Sequence, residues 1–264
     1  MFTNTRSVAA LAVAASIALA VIALTAAPSN AAIIVERTAV GGDGRESSNL
    51  ASFTTTAETD LLLVGNAGYF TEGAATAMSF NGKSLTEVPN SHGTYSSGHE
   101  TVFYYLFNPG AHTGAVSVTR SGKDWSDTDE IVAYAIGGVT AIDQIVASTT
   151  SSGSGDEISL TQTVSGSGLA IDLLAVELNS SINPSPGTGQ TEVMDAVASD
   201  NDGKFNQSST KSFTGGSVTM SYDFGNTTVD RGAAYGMVTL VPEPGTLALL
   251  SLGGLGVLVR RRRG

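Results

Sequence analysis

The sequence predicts an all-β protein, and three observations carry that reading. Polar and apolar residues alternate with period two through residues 32–240, turn signals separate the alternating runs, and 31 glycines with abundant Ser and Thr favour strands and loops over helices. In "SVTMSYDF", Val218, Met220, Tyr222 and Phe224 share one face, with Ser217, Thr219, Ser221 and Asp223 on the other. In "EISLTQTV", Ile158, Leu160 and Val164 alternate with Glu157, Ser159, Thr161 and Thr163. Successive side chains of a strand point to opposite faces, so this pattern marks half-buried strands. Asn81-Gly82 sits between two such runs and is a strong hairpin signal, because both residues accept positive φ. Gly215-Gly216 marks a second expected turn. Roughly a dozen short strands joined this way describe a β-sandwich of jelly-roll type.

With 264 residues, the chain has room for one large β domain or two smaller ones. The stretch "STTSSGSGDE", residues 148–157, has the composition of a linker. Neither flank holds a self-contained set of strands, so one body over residues 32–240 is expected. The chain has no cysteine, which excludes disulfides, thiol catalysis and Cys-based metal sites. Its stability must come from burial alone. Five of the 13 basic residues are Arg6 and Arg260 to Arg263 at the extremes. The rest carries 8 basic against 24 acidic residues, a net charge of −16. Such a body does not bind nucleic acid by neutralising phosphates.

The N-terminus reads as an address. One positive charge, Arg6, precedes an apolar run from Val8 to Ala27 and then "PSNAA", with small residues Ser29 and Ala31 where a signal peptidase would cut. Residues 1–31 are therefore expected to be a secretory signal peptide read by the Sec translocon.

Residues 241–264 read as a second address. Gly245 to Val259 is a 15-residue run without charge. As a helix it spans about 22 Å, short of the roughly 30 Å hydrocarbon core. Arg260, Arg261, Arg262 and Arg263 follow directly. Burying them in a core would be prohibitive, whereas long Arg side chains snorkel to a membrane face and extend a short span. The positive-inside rule keeps them cytoplasmic, in agreement with an exported body. Pro242 and Pro244 end the preceding strand and stop the helix from continuing outward. Pro242-Glu243-Pro244, the short apolar helix and the Arg cluster together resemble the PEP-CTERM sorting domain. The resemblance implies recognition by exosortase, a membrane-embedded, transpeptidase-like protease of Gram-negative bacteria, with removal of the tail at or near Pro-Glu-Pro. It also implies transient anchoring by the C-terminal transmembrane helix, then a cell-surface or extracellular-matrix destination in the company of exopolysaccharide and biofilm.

A second resemblance covers about half of the body. "DLLLVG" at 60–65, "FNGKSLTEV" at 80–88, "VFYYLFNPGAHTGAVSVTRSG" at 102–122 and "AYAIGGV" at 133–139 are similar to a β-sandwich module of bacterial and phage surface proteins. These motifs encode turns and core positions, so they imply a fold and no activity. One of the strands is unusual. In "TVFYYLF", Phe103, Tyr105 and Phe107 share one face and Val102, Tyr104 and Leu106 the other. A sandwich strand keeps one face polar, so something must cover this one on its second side.

Candidate chemistry is sparse. Asp124, Asp127, Asp129 and Glu130 surround the sole Trp, Trp125, and clustered carboxylates of this kind can hold Ca²⁺. Solvated acidic turns are the ordinary alternative. "SDNDGKF", with Asp200 and Asp202, lacks the closing Glu of a calcium loop. Trp125 and Tyr95 offer flat apolar faces on which a sugar ring can stack. His92, His99 and His112 fall within 21 residues but at no metal-binding spacing, and are expected on the surface or in turns. There is no His-Glu-x-x-His, and the only approach to a nucleophile elbow is Gly-Ser low-complexity sequence. The expectation is a non-enzymatic exported protein with a structural or adhesive role, without a resident cofactor, calcium aside. A carbohydrate-binding module, calcium-dependent or not, is the alternative, and a secreted polysaccharide hydrolase the third.

Overall fold

The computed structural model describes residues 32–41, 49–70, 75–95, 98–120, 128–150, 153–154, 157–179, 183–197, 203–225 and 228–242. The described residues are all-β, with no helix among them, and residues 32–242 form one compact unit. The expected signal peptide and C-terminal helix lie outside the described residues.

The strands, numbered in chain order, form three antiparallel sheets. The middle sheet has the order β1 (Ile34–Gly41), β10 (Thr128–Gly137), β3 (Leu61–Tyr69), β8 (His99–Phe107) and β6 (Thr86–Glu87), with β7 (Gly93–Thr94) also on β8. A small outer sheet runs β2 (Asn49–Thr55), β9 (His112–Arg120), β4 (Ala75–Phe80) and β5 (Lys83–Ser84). The largest sheet has the order β11 (Val139–Thr150), β17 (Thr228–Pro242), β13 (Glu157–Leu178), β16 (Lys204–Asp223) and β14 (Ser185–Pro186). To it are added β12 (Gly153–Ser154) on β17 and β15 (Thr191–Val197) on β16. The stretch 148–157 thus holds the end of β11 and all of β12.

A sandwich has two sheets, whereas the described residues form three. The reason lies in the middle sheet, whose central strands are apolar on both faces. Leu61, Leu63, Phe103, Val132, Tyr134 and Ile136 pack on Leu169, Ile171, Leu173, Val238 and Leu240 of the largest sheet. Leu62, Val64, Val102, Tyr104, Ile131 and Ala133 pack the other way, on Leu50, Phe53, Met78, Phe80 and Val116 of the small one. All nine residues of β3 are buried. An antiparallel sheet with water on one side alternates apolar and polar, and these strands do not. The two-faced aromatic strand "TVFYYLF" is β8, covered by a sheet on each side.

The largest sheet meets a different constraint. Glu157, at the start of β13, pairs with Asp223, and Leu178, at its end, pairs with Val229. The six steps from Asp223 to Val229 reach at most about 22 Å. A straight strand from Glu157 to Leu178 would span about 70 Å. The β13–β16 ribbon must therefore fold back over its own sheet. It bends at the register shift between Val164 and Ser167, opposite Gly215 and Gly216 with φ of 101° and 83°. The folded-back part lays Ile158, Leu160, Val218, Met220 and Tyr222 on Leu174, Val176, Phe205, Tyr235 and Met237. Tyr222 and Tyr235 meet edge to face with ring centroids 5.8 Å apart. Gly215-Gly216, expected to separate two strands, is thus a bend inside one: only residues without Cβ take this backbone freely, and pairing continues on both sides. Asn81-Gly82 is the hairpin it was expected to be, with φ of 48° and 75° and Phe80 paired to Lys83.

The bend also requires close approach. A Cβ at Gly168 would overlap the carbonyl oxygen of Leu240 and the Phe213 ring, whereas one at Gly166 meets nothing within 4 Å. Gly168→Ala is expected to destabilise the fold by about 2–4 kcal/mol, since a backbone oxygen cannot step aside. Gly166→Ala is expected to stay within about 0.5 kcal/mol of the native chain or gain slightly. Urea denaturation of the two variants checks the contrast.

Candidate functional site

The described residues hold only part of the set singled out for ligand or metal binding. Trp125, Asp124 and Asp127 lie outside the described residues. Asp129 and Glu130 are strand positions of β10, paired with Gly68 and Ala67. The Glu130 carbonyl accepts a hydrogen bond from Asn66 Nδ2 at 3.0 Å. Tyr95 is half-buried between β7 and β8, with its ring against the backbone of Gly232 in β17. That contact explains both residues: a Cβ on Gly232, where φ is 141°, would overlap the ring.

The histidines separate as well. His92 Nε2 lies 3.4 Å from Glu100 Oε2, and Nδ1 lies 3.9 Å from Glu87 Oε1. The hydrogen bond to Glu100 raises the His92 pKa, against the effect of burial. His99, expected at the surface, starts β8 and is buried edge-on against Tyr69 with ring centroids 5.1 Å apart. His112 Nε2 accepts from Lys83 Nζ at 3.2 Å. Among the described residues, no group of three or more His, Asp or Glu side chains is placed to hold a metal.

What the fold does bring together is its two ends. Ile34 pairs with Gly137, and Pro242 pairs with Val139, on either side of the corner residue Gly138. Gly138 has φ of 78°, and a Cβ there would sit 2.5 Å from the Ala32 carbonyl oxygen. Asp60 fixes the corner. Its Oδ2 accepts from Gly138 N at 2.5 Å, its amide donates to Ile136 O at 3.0 Å, and its carbonyl accepts from Asn108 N at 2.7 Å. The chain therefore enters and leaves the body at one place. It leaves from a central strand: Leu240 in β17 is fully buried, and Val241 and Pro242 are half-buried. Residues 240–263 match the family model described as a PEP-CTERM protein-sorting motif. The chain carries a PEP-CTERM sorting motif. No curated protein matches the chain. The motif implies export, anchoring through the C-terminus, and processing by an exosortase-type membrane protein. Its first three residues belong to β17. Glu243, Pro244 and Arg260 to Arg263 lie outside the described residues.

The body of this PEP-CTERM chain also holds a buried polar centre that period-two reading passes over. Asp172 in β13 is fully buried. Its carboxylate accepts from Tyr235 Oη at 2.7 Å, Ser209 N at 2.6 Å, Ser209 Oγ at 2.9 Å, Gln190 Nε2 at 3.2 Å and Tyr222 Oη at 3.3 Å. Ser208 Oγ donates to the Asp172 carbonyl and meets Tyr134 Oη at 2.7 Å. The centre ties β13, β16 and β17 to the folded-back ribbon through Tyr222 and reaches the middle sheet through Tyr134. The sequence signal was a lone Asp in the apolar run "LAIDLLAV"; a buried charge needs partners, and its partners come from strands distant in sequence.

Burial raises the Asp172 pKa from 3.8 to about 7, the hydrogen bonds opposing it. Burial and then the Asp172 charge hold the Tyr222 and Tyr235 phenols well above their ordinary value. A carboxyl with a raised folded-state pKa binds its proton more tightly folded than unfolded, so its contribution favours the fold at low pH and is lost as pH rises from about 4 to about 7. His92 acts in the same direction: its contribution is complete below 6.5 and lost as pH rises through its raised folded value. Stability is expected to be greater at pH 5 than at pH 8, with Asp172 contributing about 3 kcal/mol of the difference. Asp172→Asn, which keeps an acceptor oxygen, is expected to flatten this dependence between pH 4 and 7. Denaturation midpoints across that range decide it, and an unchanged slope contradicts the assignment.

Proposed function

We propose that the chain is a non-enzymatic structural or adhesive protein of an exopolysaccharide-rich surface or biofilm matrix in a Gram-negative bacterium, delivered by an exosortase-type system. The observation that carries this reading is the junction of fold and motif. The sorting motif begins inside the last strand, and both ends of the body emerge beside Gly138. A body whose sorting tail leaves directly from its last strand is tethered there until the tail is processed. It needs no resident cofactor for this role. The remaining acidic surface favours solubility and keeps the body away from nucleic acid.

Replacing Pro242, Glu243 and Pro244 together by Ala is expected to leave the tail attached. The cell-associated protein should then keep the mass of residues 243–264, and the surface yield should fall several-fold. Unchanged processing and yield contradict the address. Titration of the purified chain with exopolysaccharide, with and without chelator, separates the roles. The structural reading expects no saturable binding in either condition, and chelator-sensitive saturation replaces it with a calcium-dependent carbohydrate module.

A further inference from the structure

A second polar group in the largest sheet is built differently from the Asp172 centre. Gln207, in β16, is fully buried. Its Nε2 faces three oxygens: Asn183 Oδ1 at 3.0 Å, the Pro184 carbonyl at 3.0 Å and Asp195 Oδ1 at 3.2 Å. An amide nitrogen has two hydrogens and cannot serve three acceptors. Its own Oε1 is buried without a hydrogen-bond partner, a condition that costs about 1–3 kcal/mol. The two ends of a carboxamide are nearly indistinguishable in shape, and half a turn exchanges them. With the carboxamide turned, four oxygens converge: one carboxylate, two side-chain amides and one backbone carbonyl. Empty, that set repels itself. Around a hard cation it is a ligand set, since oxygens about 2.4 Å from Ca²⁺ at right angles lie about 3.4 Å apart.

We propose that Asn183, the Pro184 carbonyl, Asp195 and Gln207 form a calcium site. Asp195 is exposed, which gives the ion a path in, and water completes the shell. Asn183 Nδ2 already holds Asp195 Oδ1 at 2.6 Å, so the carboxylate is positioned before an ion arrives. Glu192 adds negative charge nearby: burial, and then the charge of Asp195, raise its carboxyl pKa. The site ties the connection after β13 to β15 and β16. Two residues on, β14 pairs with Tyr222 and Asp223 at the tip of the folded-back ribbon. Gln190 Oε1 accepts from Ser221 N at 2.7 Å at the far end of the same connection. An ion at Asn183 and Asp195 would thus clamp this connection at its free end. The residues differ from the acidic stretch at 124–130, and the site does not depend on the role proposed for the body.

The test uses the full chain, purified in detergent and stripped with chelator, titrated with Ca²⁺ and with Mg²⁺ and followed by calorimetry and thermal denaturation. One Ca²⁺ site is expected at about 0.1–1 mM, the range of extracellular modules, with Mg²⁺ bound more weakly because the set is irregular and low in charge. Asp195→Asn, at an exposed position, should weaken Ca²⁺ at least about tenfold. Gln207→Glu should be less stable than the native chain in chelator, and should bind Ca²⁺ about tenfold more tightly because it brings a second carboxylate. The absence of any Ca²⁺-dependent heat or shift in melting temperature up to about 10 mM overturns the proposal. So does full binding retained by Asp195→Asn, which would place the ion elsewhere on the acidic surface.

Discussion

The two cores of the largest sheet both close on the strand that the chain reaches last. β17 alternates between them: Val238 and Leu240 enter the core shared with the middle sheet, and Ala233, Tyr235 and Met237 enter the core under the folded-back ribbon. It also lies between β11 and β13, so its backbone is paired on both edges. The core under the ribbon cannot be complete until Met237, nor the core shared with the middle sheet until Leu240, has left the translocation machinery, and the sorting motif starts at residue 240 without a spacer. The address and the fold therefore share residues, and any processing event must respect that overlap.

The second constraint is the middle sheet. Its strands β3, β8 and β10 carry apolar side chains on both faces, so a sheet must cover each side. Two coverings arise by different means. The small sheet is a set of short strands tied by the Asn81-Gly82 hairpin and by Tyr104, whose hydroxyl donates to the Ala75 carbonyl at 3.3 Å. The largest sheet is a long ribbon that supplies its own outer cover by bending at Gly215-Gly216 and at the Val164–Ser167 register shift. Without cysteine, the stack rests on this burial and on the Asp172 centre, which fixes how the ribbon lies on the sheet beneath it. A charge in such a place specifies an arrangement more than it adds stability, as the raised Asp172 pKa indicates.

Much of the local structure was legible because it is written in neighbouring residues. Val218, Met220, Tyr222 and Phe224 are buried as their alternation requires, and Asn81-Gly82 turns as its side chains allow. The tail was legible for a similar reason: a short apolar run closed by four arginines has few physical uses. The number of layers was not, although β8 announced it by showing two apolar faces. Period-two reading assigns a face to each residue but does not say what covers it. The bend at Gly215-Gly216 looked like a turn because glycine pairs serve both purposes, and only the pairing of Glu157 with Asp223 distinguishes them. Tyr95 looked available for sugar stacking, and its partner Gly232 lies 137 positions away in the sequence. Asp172 and Gln207 likewise take their meaning from strands brought together by the fold.

The intact mass of the protein released at the cell surface tests the central claim most directly, namely that a body complete to the end of β17 carries a separable sorting tail. The account predicts a C-terminus at or shortly after Pro242, with Leu240 retained and the arginine cluster gone. A C-terminus before Leu240, which would open the core shared with the middle sheet, contradicts it, as does a released protein that still carries Arg260 to Arg263.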